Sequence, residues 1–233
     1  MIWLIVVGGC LAAGVALYWL VVIGEGTYLG RFAVRAIYQA GARVYDRVRQ
    51  SVTAGDETHL RAPLRIALLS SPLAPSLDVA TGTGRAALML AAEPWYEGAI
   101  IGLDLAPAML AEAARKAEAA GLAGRVDWHI GSGDNLRRWP DGTFGLVTCL
   151  EAVEYFPRPR RAVREMWRAL LPGGTLIIST WTPRHARWLP GKALTAAQVR
   201  ELLRPLGCAE CEIRPWQPGQ YDLVIAVKPA AAL

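Results

Sequence analysis

Two acidic residues and a pair of glycines are spaced as they would be in a nucleoside-binding site. The segment Ser76-Leu-Asp-Val-Ala-Thr-Gly-Thr-Gly-Arg85 passes from an apolar run into a glycine loop, and Asp104 follows 20 residues after Gly84. Glycine at positions 82 and 84 lets the backbone turn tightly and approach a ligand where a Cβ would collide. Asp104 ends a second apolar run, where a carboxylate can accept both hydroxyls of a ribose. The ends of two consecutive strands are therefore predicted to hold one nucleoside.

The glycine spacing alone does not name the ligand. The run from Gly82 to Ala87 also satisfies the loose dinucleotide-binding pattern, with alanine at the third glycine position. Asp78, however, lies on the predicted strand four residues before the first glycine, where a dinucleotide site usually has an apolar residue. This extra carboxylate suits a positively charged ligand.

Three further segments follow in a fixed order, and together with the glycine loop they carry a family resemblance. They are Pro140-Asp-Gly-Thr-Phe-Gly-Leu-Val147, Glu151-Ala-Val-Glu-Tyr-Phe-Pro157 and Arg168-Ala-Leu-Leu-Pro-Gly-Gly-Thr-Leu-Ile-Ile178. From about Asp46 to Lys228 the chain resembles the Rossmann-like S-adenosylmethionine-dependent methyltransferases, particularly the type 11 branch with the ubiquinone/menaquinone and phospholipid methyltransferases. The resemblance implies an α/β fold with a doubly wound, mostly parallel sheet of seven strands, the last antiparallel. It also implies S-adenosylmethionine as the cofactor.

The resemblance places the residues that bind the methyl donor at the ends of the first four strands. They are Asp78, Ala80, Thr81, Gly82, Gly84, Asp104, Leu105, Ser132, Gly133, Asp134, Cys149, Leu150 and Glu151. The sequence departs from the family pattern at three positions. Ala80 replaces the usual glycine, Gly145 the usual aspartate, and Ser132 a residue that is often Asp or Asn, although Asp134 is two positions away.

Candidates for the reaction itself are fewer. Glu151, at the end of the fourth strand, is the candidate catalytic residue, with donor binding or helix capping as the alternative. Four residues are assigned to the substrate side: Tyr38, Tyr155, Trp181 and His185. The last two belong to an aromatic and basic insertion after the fifth strand, which could equally be a surface loop that buries its tryptophans. No metal site is expected, because the Cys208 and Cys211 pair lacks a second pair of Cys or His residues.

The amino-terminal segment of this 233-residue chain has the composition of a transmembrane helix. Residues 1–23 contain no charge, and as a helix they would span roughly 35 Å, enough to cross a hydrocarbon core of about 30 Å. A membrane anchor is favoured over a cleaved signal peptide, since no basic residue precedes the apolar run and the run exceeds a usual signal core. The predicted organisation is therefore a transmembrane helix over 1–23, a juxtamembrane amphipathic helix and linker over 24–56, and a methyltransferase domain over 57–233.

Basic residues beside the apolar segment predict its orientation. Five arginines less Glu25 and Asp46 give +3 for residues 24–49, out of a total of +5 for the chain. Because basic residues are retained in the cytoplasm, we expect a single-pass membrane protein whose domain faces the cytoplasm. The bilayer is thus an expected partner, and the basic excess needs no nucleic-acid partner to explain it. Residues 27–49 have helical spacing, with a kink expected at Gly41, and either lie at the interface or cover the sheet as its first helix.

Helices and strands alternate in the rest of the chain, which indicates a parallel, doubly wound sheet. Helices are predicted near 57–69 (interrupted by Pro63), 84–92, 107–119, 158–170 and 195–205, and strands near 76–80, 99–104, 125–130, 144–149, 174–181, 209–214 and 221–228. The leading hypothesis is a membrane-anchored methyltransferase acting on a lipophilic small molecule: a quinone precursor, an isoprenoid or a phospholipid headgroup. A donor-binding but non-catalytic membrane interaction protein and a nucleotide-dependent oxidoreductase are the alternatives. The sequence lacks the Tyr-x-x-x-Lys pair expected of the latter, and it leaves the oligomeric state open.

Overall fold

A computed structural model describes residues 2–53, 55–208, 211–217 and 219–230 and shows an α/β architecture. The strands are β1 (Ser76–Val79), β2 (Ile100–Asp104), β3 (Val126–Ile130), β4 (Phe144–Cys149), β5 (Leu170–Trp181), β6 (Cys211–Trp216) and β7 (Tyr221–Val227). The helices are α1 (Ile2–Tyr18), α2 (Arg31–Thr53), α3 (Asp56–His59), α4 (Arg61–Ser70), α5 (Arg85–Ala91), α6 (Pro107–Ala119), α7 (Pro159–Ala169), α8 (Pro183–Ala186) and α9 (Ala196–Leu203). The predicted alternation of helices and strands is confirmed.

The seven strands form one sheet in the order β3-β2-β1-β4-β5-β7-β6. Strands β1 to β5 pair in parallel, and the last strand, β7, runs antiparallel to both of its neighbours, β5 and β6. The predicted fold class is therefore confirmed, including the closing hairpin. The strand order reverses between β1 and β4, and in open sheets of this kind ligands bind in the crevice beyond the carboxyl ends of the strands at that point.

The sheet is buried on both faces, as a parallel sheet with helices on either side must be. One face carries Leu77, Val147 and Leu176, which pack under α7 and α9. The other face carries a second apolar cluster that includes residues of β2, β4, β5 and α4. Since every residue of β1 and β4 is buried, their carboxyl ends are fixed in position by packing on both sides.

Among the element boundaries that differ from the sequence prediction, two have a local explanation. The helix predicted near 57–69 is not broken at Pro63; it divides at Leu60, and Pro63 lies in the first turn of α4. A proline is accepted there because amides of the first turn have no partner within the helix. Strand β5 begins at Leu170, earlier than expected, because the Pro-Gly-Gly segment already belongs to the strand.

The amino-terminal helix is apolar, and its stretch from Val6 onward is not buried in the domain. Helix α1 continues as a π-helical turn over Trp19–Ile23. The stretch Val6–Ile23 has a mean hydropathy of 2.3, and none of it is buried. It is long and apolar enough to cross a membrane, and could be an anchor or a signal sequence. Helix α2 then runs without interruption through Gly41, so no break occurs at that glycine.

Candidate functional site

The loop after β1 depends on left-handed backbone at three positions. Ala80, Gly82 and Gly84 have φ values of +54°, +56° and +84°. A Cβ at Gly84 would lie 3.0 Å from the ring of Trp128 and 3.1 Å from Ala113, so glycine allows α5 to begin close to the neighbouring elements. A Cβ at Gly82 would instead face open space, with no atom of the described chain within 4 Å. The loop therefore presents bare backbone to the crevice at Gly82.

Ala80, which replaces the glycine usual in the family, has a left-handed backbone conformation that is unfavourable for alanine. Alanine in left-handed backbone costs roughly 1–2 kcal/mol, whereas glycine pays about 0.5–1 kcal/mol in chain entropy. We therefore expect Ala80→Gly to stabilise the protein by about 0.5–1 kcal/mol in denaturant unfolding. In the matched control, Ala111→Gly on the exposed face of α6 should destabilise by about 1 kcal/mol. A destabilised Ala80→Gly variant would contradict the assignment of strain to this residue.

Asp78 holds the glycine loop to the sheet. Its buried carboxylate accepts hydrogen bonds from the hydroxyls of Thr81 and Thr148, both at 2.6 Å, and from the amide of Ala87 at 3.2 Å. Burial raises the pKa of Asp78, while these donors favour its ionised form. The carboxylate thus ties together β1, β4 and α5. Whether it also attracts a cationic ligand stays a prediction.

Asp104 lies on the wall of the main cleft, at the carboxyl end of β2. One carboxylate oxygen accepts the amide of Gly82 at 2.9 Å and the other the amide of Ala106 at 2.8 Å. Each oxygen has a further lone pair, so the carboxylate can still accept two ribose hydroxyls. The two amides also fix the carboxylate beside the open face of Gly82, which fits the nucleoside part of the predicted donor.

The main cleft encloses about 680 Å³, part of it open to solvent. Ten of the residues predicted from the sequence line it: Tyr38, Ala80, Gly82, Asp104, Leu105, Ser132, Gly133, Leu150, Glu151 and Tyr155. A Cβ at Gly133 would lie 2.4 Å from Val79, so glycine is required for this segment to pass so close to β1. The cleft therefore brings together the ends of the first four strands, as a bound nucleoside with an attached amino acid requires.

Other predicted residues lie outside the cleft lining. Thr81 is buried in the loop, Gly84 starts α5, Cys149 is buried in β4, and Asp134 accepts the hydroxyl of Ser132 at 2.7 Å. The Ser132 and Asp134 pair places a carboxylate beside the cleft even though position 132 is a serine. Trp181 and His185 line a different cavity, which they share with Tyr155.

Glu151 is surrounded by positive charge. It is an αL residue, with φ of +51°, and its carboxylate forms ion pairs with Arg49 and with Arg85, the latter at 2.8 Å. Gln217 donates to the same carboxylate, and the Glu151 amide donates to the hydroxyl of Ser179. A carboxylate held between two guanidinium groups is a weak proton acceptor, because they favour its ionised form. This arrangement favours binding or structure over proton transfer for Glu151.

Helix α2 contributes residues that the sequence did not assign to the cleft. Arg31, Val34, Arg35 and Tyr45 line it together with Tyr38. The helix reaches the domain by packing Ala42 against Met109 of α6. Aromatic residues seven positions apart, at 38 and 45, were the available signal that one face of this helix serves the site.

Gly145 has a packing explanation. A Cβ there would lie 2.7 Å from the Cβ of Ser71 and 2.9 Å from that of Ala74, so the chain after α4 leaves no room for a larger side chain. The residue is second in β4, at the end of the strand remote from the cleft. Four residues of strand separate it from the cleft end, or about 13 Å. The missing carboxylate is therefore no evidence for a lost catalytic group.

The structure does not assemble a metal site from the residues that it describes, since no group of three or more His, Cys, Asp or Glu side chains could hold an ion. The sulfur atoms of Cys208 and Cys211 lie 3.1 Å apart where the chain passes from the turn after α9 into β6.

The sheet order, the glycine loop and the cleft together define a Rossmann-like domain of the methyltransferase type. Residues 77–178 match the family model described as a methyltransferase domain. The match extends from β1 to most of β5, and S-adenosylmethionine is the cofactor that this family implies.

Curated relatives and solved structures agree with this domain type. The chain is 38% identical over 154 residues to a demethylmenaquinone methyltransferase from Deinococcus radiodurans, covering 65% of this chain and 61% of the relative. It is 31% identical over 156 residues to a ubiquinone/menaquinone biosynthesis C-methyltransferase from Roseobacter denitrificans, covering 67% of this chain and 61% of the relative. The chain thus spans about three fifths of the length of these relatives.

The fold is shared with solved structures of low sequence identity. A SAM-dependent methyltransferase from Aquifex aeolicus has a TM-score of 0.55 at 19% identity, with 71% of this chain and 88% of that chain covered. The [4+2]-cyclase SpnF has a TM-score of 0.59 at 23% identity, with 73% of this chain and 81% of that chain covered. Because a cyclase shares the fold, fold likeness by itself does not define the reaction.

The surroundings of Asp104 predict how donor binding depends on pH. Burial raises the pKa of Asp104 above the ordinary value for aspartate of about 3.9, although the amides of Ala106 and Gly82 oppose this. Protonation removes the charged acceptor, so donor affinity should be full above the raised pKa and fall as pH decreases through it. Calorimetric titrations with S-adenosylhomocysteine from neutral to acidic pH should show that loss beginning above the ordinary aspartate range.

Two checks accompany this pH prediction. In Asp104→Asn the affinity should be lower and its dependence on pH flatter. The stability of the unliganded protein depends on pH in the opposite direction to donor affinity. The contribution of Asp104 to the free energy of unfolding is present below its unfolded pKa and is lost as pH rises through the folded pKa. An affinity that stays constant down to the ordinary aspartate range would contradict the assigned role.

Proposed function

We propose that this protein transfers a methyl group from S-adenosylmethionine to a quinone precursor at a membrane. The observation that carries the proposal is the position of Asp104 and Gly82 in a cleft that also contains Tyr38 and Tyr155. A donor site and an aromatic acceptor site would then share one space. The two relatives, whose names specify methylation in menaquinone and ubiquinone synthesis, support this class of acceptor.

Each part of the cleft has a role in this proposal. Asp104 would accept the ribose hydroxyls, Ser132 and Asp134 would lie at the adenine, and Leu150 and Glu151 at the methionine part. Bound S-adenosylmethionine supplies an electrophilic methyl group on a positively charged sulfur. Helix α2 lines one side of the cleft with Val34, Tyr38 and Tyr45, which would limit the access of water and hold the acceptor in line.

Methylation at a ring carbon of a quinol needs no reactant other than the donor and the quinol. The carbon–methyl bond forms as the sulfur–methyl bond breaks, the ring then loses a proton, and S-adenosylhomocysteine leaves. An electron-rich ring is needed, so the reduced quinol is the reactive form. Because Glu151 is paired with two arginines, proton transfer to solvent or through the tyrosines suits this site better than transfer to Glu151.

We further propose that α1 anchors the protein in the bilayer with its domain on the cytoplasmic side. The apolar stretch Val6–Ile23 is fully outside the domain core, and α2 follows it with arginines beside exposed Phe32 and Val48. Anionic headgroups attract such a segment by about 1 kcal/mol per charge. An anchor keeps the domain close to an acceptor that is confined to the membrane.

Native membranes incubated with the protein and a methyl-labelled donor would test this function. Label is expected in a quinone-type lipid, identified by mass spectrometry after extraction. The matched control is the Asp104→Ala variant, which should leave the lipid unlabelled. Label confined to protein or to a phospholipid headgroup would overturn the proposed acceptor. Donor binding with no transfer to any membrane component would favour the non-catalytic alternative.

A further inference from the structure

A second cavity lies where the apolar helix meets the domain, and we name it the membrane-end chamber. It encloses about 830 Å³, part of it open to solvent. Its outer end is formed by Val22 and Ile23 of the π-helical turn together with Trp188 of the insertion after β5. Its inner end carries Glu25, Arg49 and Tyr155. The chamber is thus apolar beside the apolar helix and polar toward the domain.

The position of the chamber is fixed by contacts at the helix end. The ring of Trp19 stacks on that of Tyr28 at 4.9 Å, and the Tyr28 hydroxyl donates to the carbonyl of Pro190 at 2.9 Å. The buried hydroxyl of Thr27 donates to the carbonyl of Glu154 at 2.7 Å. These contacts join the segment after the apolar helix to the insertion and to the turn that follows β4.

The aromatic wall of the chamber is held by a buried carboxylate. One oxygen of Glu154 accepts the indole N–H of Trp181 and the hydroxyl of Tyr221, both at 2.6 Å. The two rings lie 4.9 Å apart. Glu154 is therefore a positioning residue for the chamber wall.

The chamber adjoins an intermediate cavity of about 690 Å³, which in turn adjoins the main cleft. Glu25, Arg49 and Tyr155 line both the chamber and the intermediate cavity. The intermediate cavity in turn shares Tyr38, Tyr45, Glu151 and Tyr155 with the cleft. Three adjoining cavities, with shared side chains between them, therefore form a row from the end of the apolar helix to the space beside Asp104.

We infer that the membrane-end chamber binds the apolar tail of the acceptor, so that an amphiphile with a polar ring enters from the bilayer ring first. This inference rests on the proposed function. The order of polarity along this row of cavities supports it, because a tail placed between Ile23 and Trp188 would direct the ring toward Tyr155 and the cleft. If the acceptor enters from the bilayer, its apolar tail is not exposed to water, which would be unfavourable.

The test compares two acceptors on the full-length protein in lipid nanodiscs: a naphthoquinol with a long isoprenoid tail and the same quinol without a tail. Ile23→Trp fills the outer end of the chamber, and it should raise KM for the tailed quinol about tenfold, the loss expected from displacing one apolar group of the tail. KM for the tail-less quinol should change less than about twofold. The matched control, Val21→Trp, places the same indole on the same turn at a residue that does not line the chamber.

A second readout does not depend on turnover. A tailed naphthoquinone with a photoreactive group on the tail should label Val22, Ile23 or Trp188, as mapped by mass spectrometry, and excess unlabelled tailed quinone should prevent this. Labelling elsewhere, or equal effects of Ile23→Trp on both acceptors, would overturn the inference. If the wild type labels in the chamber but methylates neither quinol, the chamber assignment stands and the proposed function fails.

Discussion

Replacing Asp104 with alanine is expected to weaken the binding of S-adenosylmethionine and S-adenosylhomocysteine by at least about 100-fold. Each ribose hydroxyl would lose a charged acceptor, at roughly 1.5–3 kcal/mol per hydrogen bond. The variant also frees the amides of Gly82 and Ala106, which the carboxylate now accepts at 2.9 and 2.8 Å. The glycine loop should therefore lose order as well as a ligand contact. Calorimetry measures the affinity, and thermal unfolding without ligand measures the stability.

A matched variant tests whether the loss of affinity comes from the position of the carboxylate in the cleft rather than from the loss of one negative charge. Asp127→Ala removes an exposed carboxylate from the neighbouring strand β3 without touching the cleft, and should leave donor affinity unchanged. A folded Asp104→Ala protein that binds the donor as tightly as the wild type would refute the assignment of Asp104.

Removing residues 2–23 should release a folded domain that still binds the donor but methylates a membrane-borne acceptor poorly. The deleted helix is not buried in the domain, and the glycine loop, Asp104 and Ser132 all lie beyond it. At high salt we expect the rate on quinol-containing vesicles to fall by on the order of 100-fold, because the tether no longer raises the effective concentration of enzyme at its substrate and the membrane-end chamber loses Val22 and Ile23. The rate on a tail-less quinol in solution should change little.

The dependence of activity on salt concentration distinguishes anchoring by α1 from the attraction of α2 to the membrane surface. At low salt the truncated protein should recover part of its activity on anionic vesicles, since its arginines attract the headgroups and this attraction is screened by salt. Arg43→Gln with Arg47→Gln in the truncated protein, both exposed residues of α2, should abolish that recovery. Full activity of the truncated protein on vesicles at high salt would contradict the anchoring role. Activity on the soluble quinol alone, by either form, would contradict the lipophilic acceptor.

The sheet and most of the donor cleft are predictable from the sequence because local patterns determine them. Buried strands such as β1 and β4 are short apolar runs, and the ends of parallel strands meet at one edge, so the amino-acid sequence alone places Gly82 and Asp104 together. The family resemblance adds Gly133. The left-handed backbone at Ala80 is not apparent in the sequence, because alanine gives no signal of positive φ.

The remainder of the site depends on contacts between distant segments. The approach of Arg49, Arg85 and Gln217 to Glu151 joins three elements that no local pattern relates, and it turns the candidate base into a paired carboxylate. The face of α2 that covers the cleft is set by its packing on α6, which periodicity does not specify. For the same reason the explanation of Gly145 comes from its contact with Ser71, a residue far from it in the chain.

The most direct test of the central claim, that the glycine cleft is a methyl-donor site, is calorimetry of the purified protein with S-adenosylmethionine, S-adenosylhomocysteine and NAD. The arrangement of Asp78, Gly82 and Asp104 predicts that both forms of the donor bind one site and compete with each other, and that NAD does not bind. Binding of NAD, with neither S-adenosylmethionine nor its demethylated product bound, would contradict the claim and restore the oxidoreductase alternative.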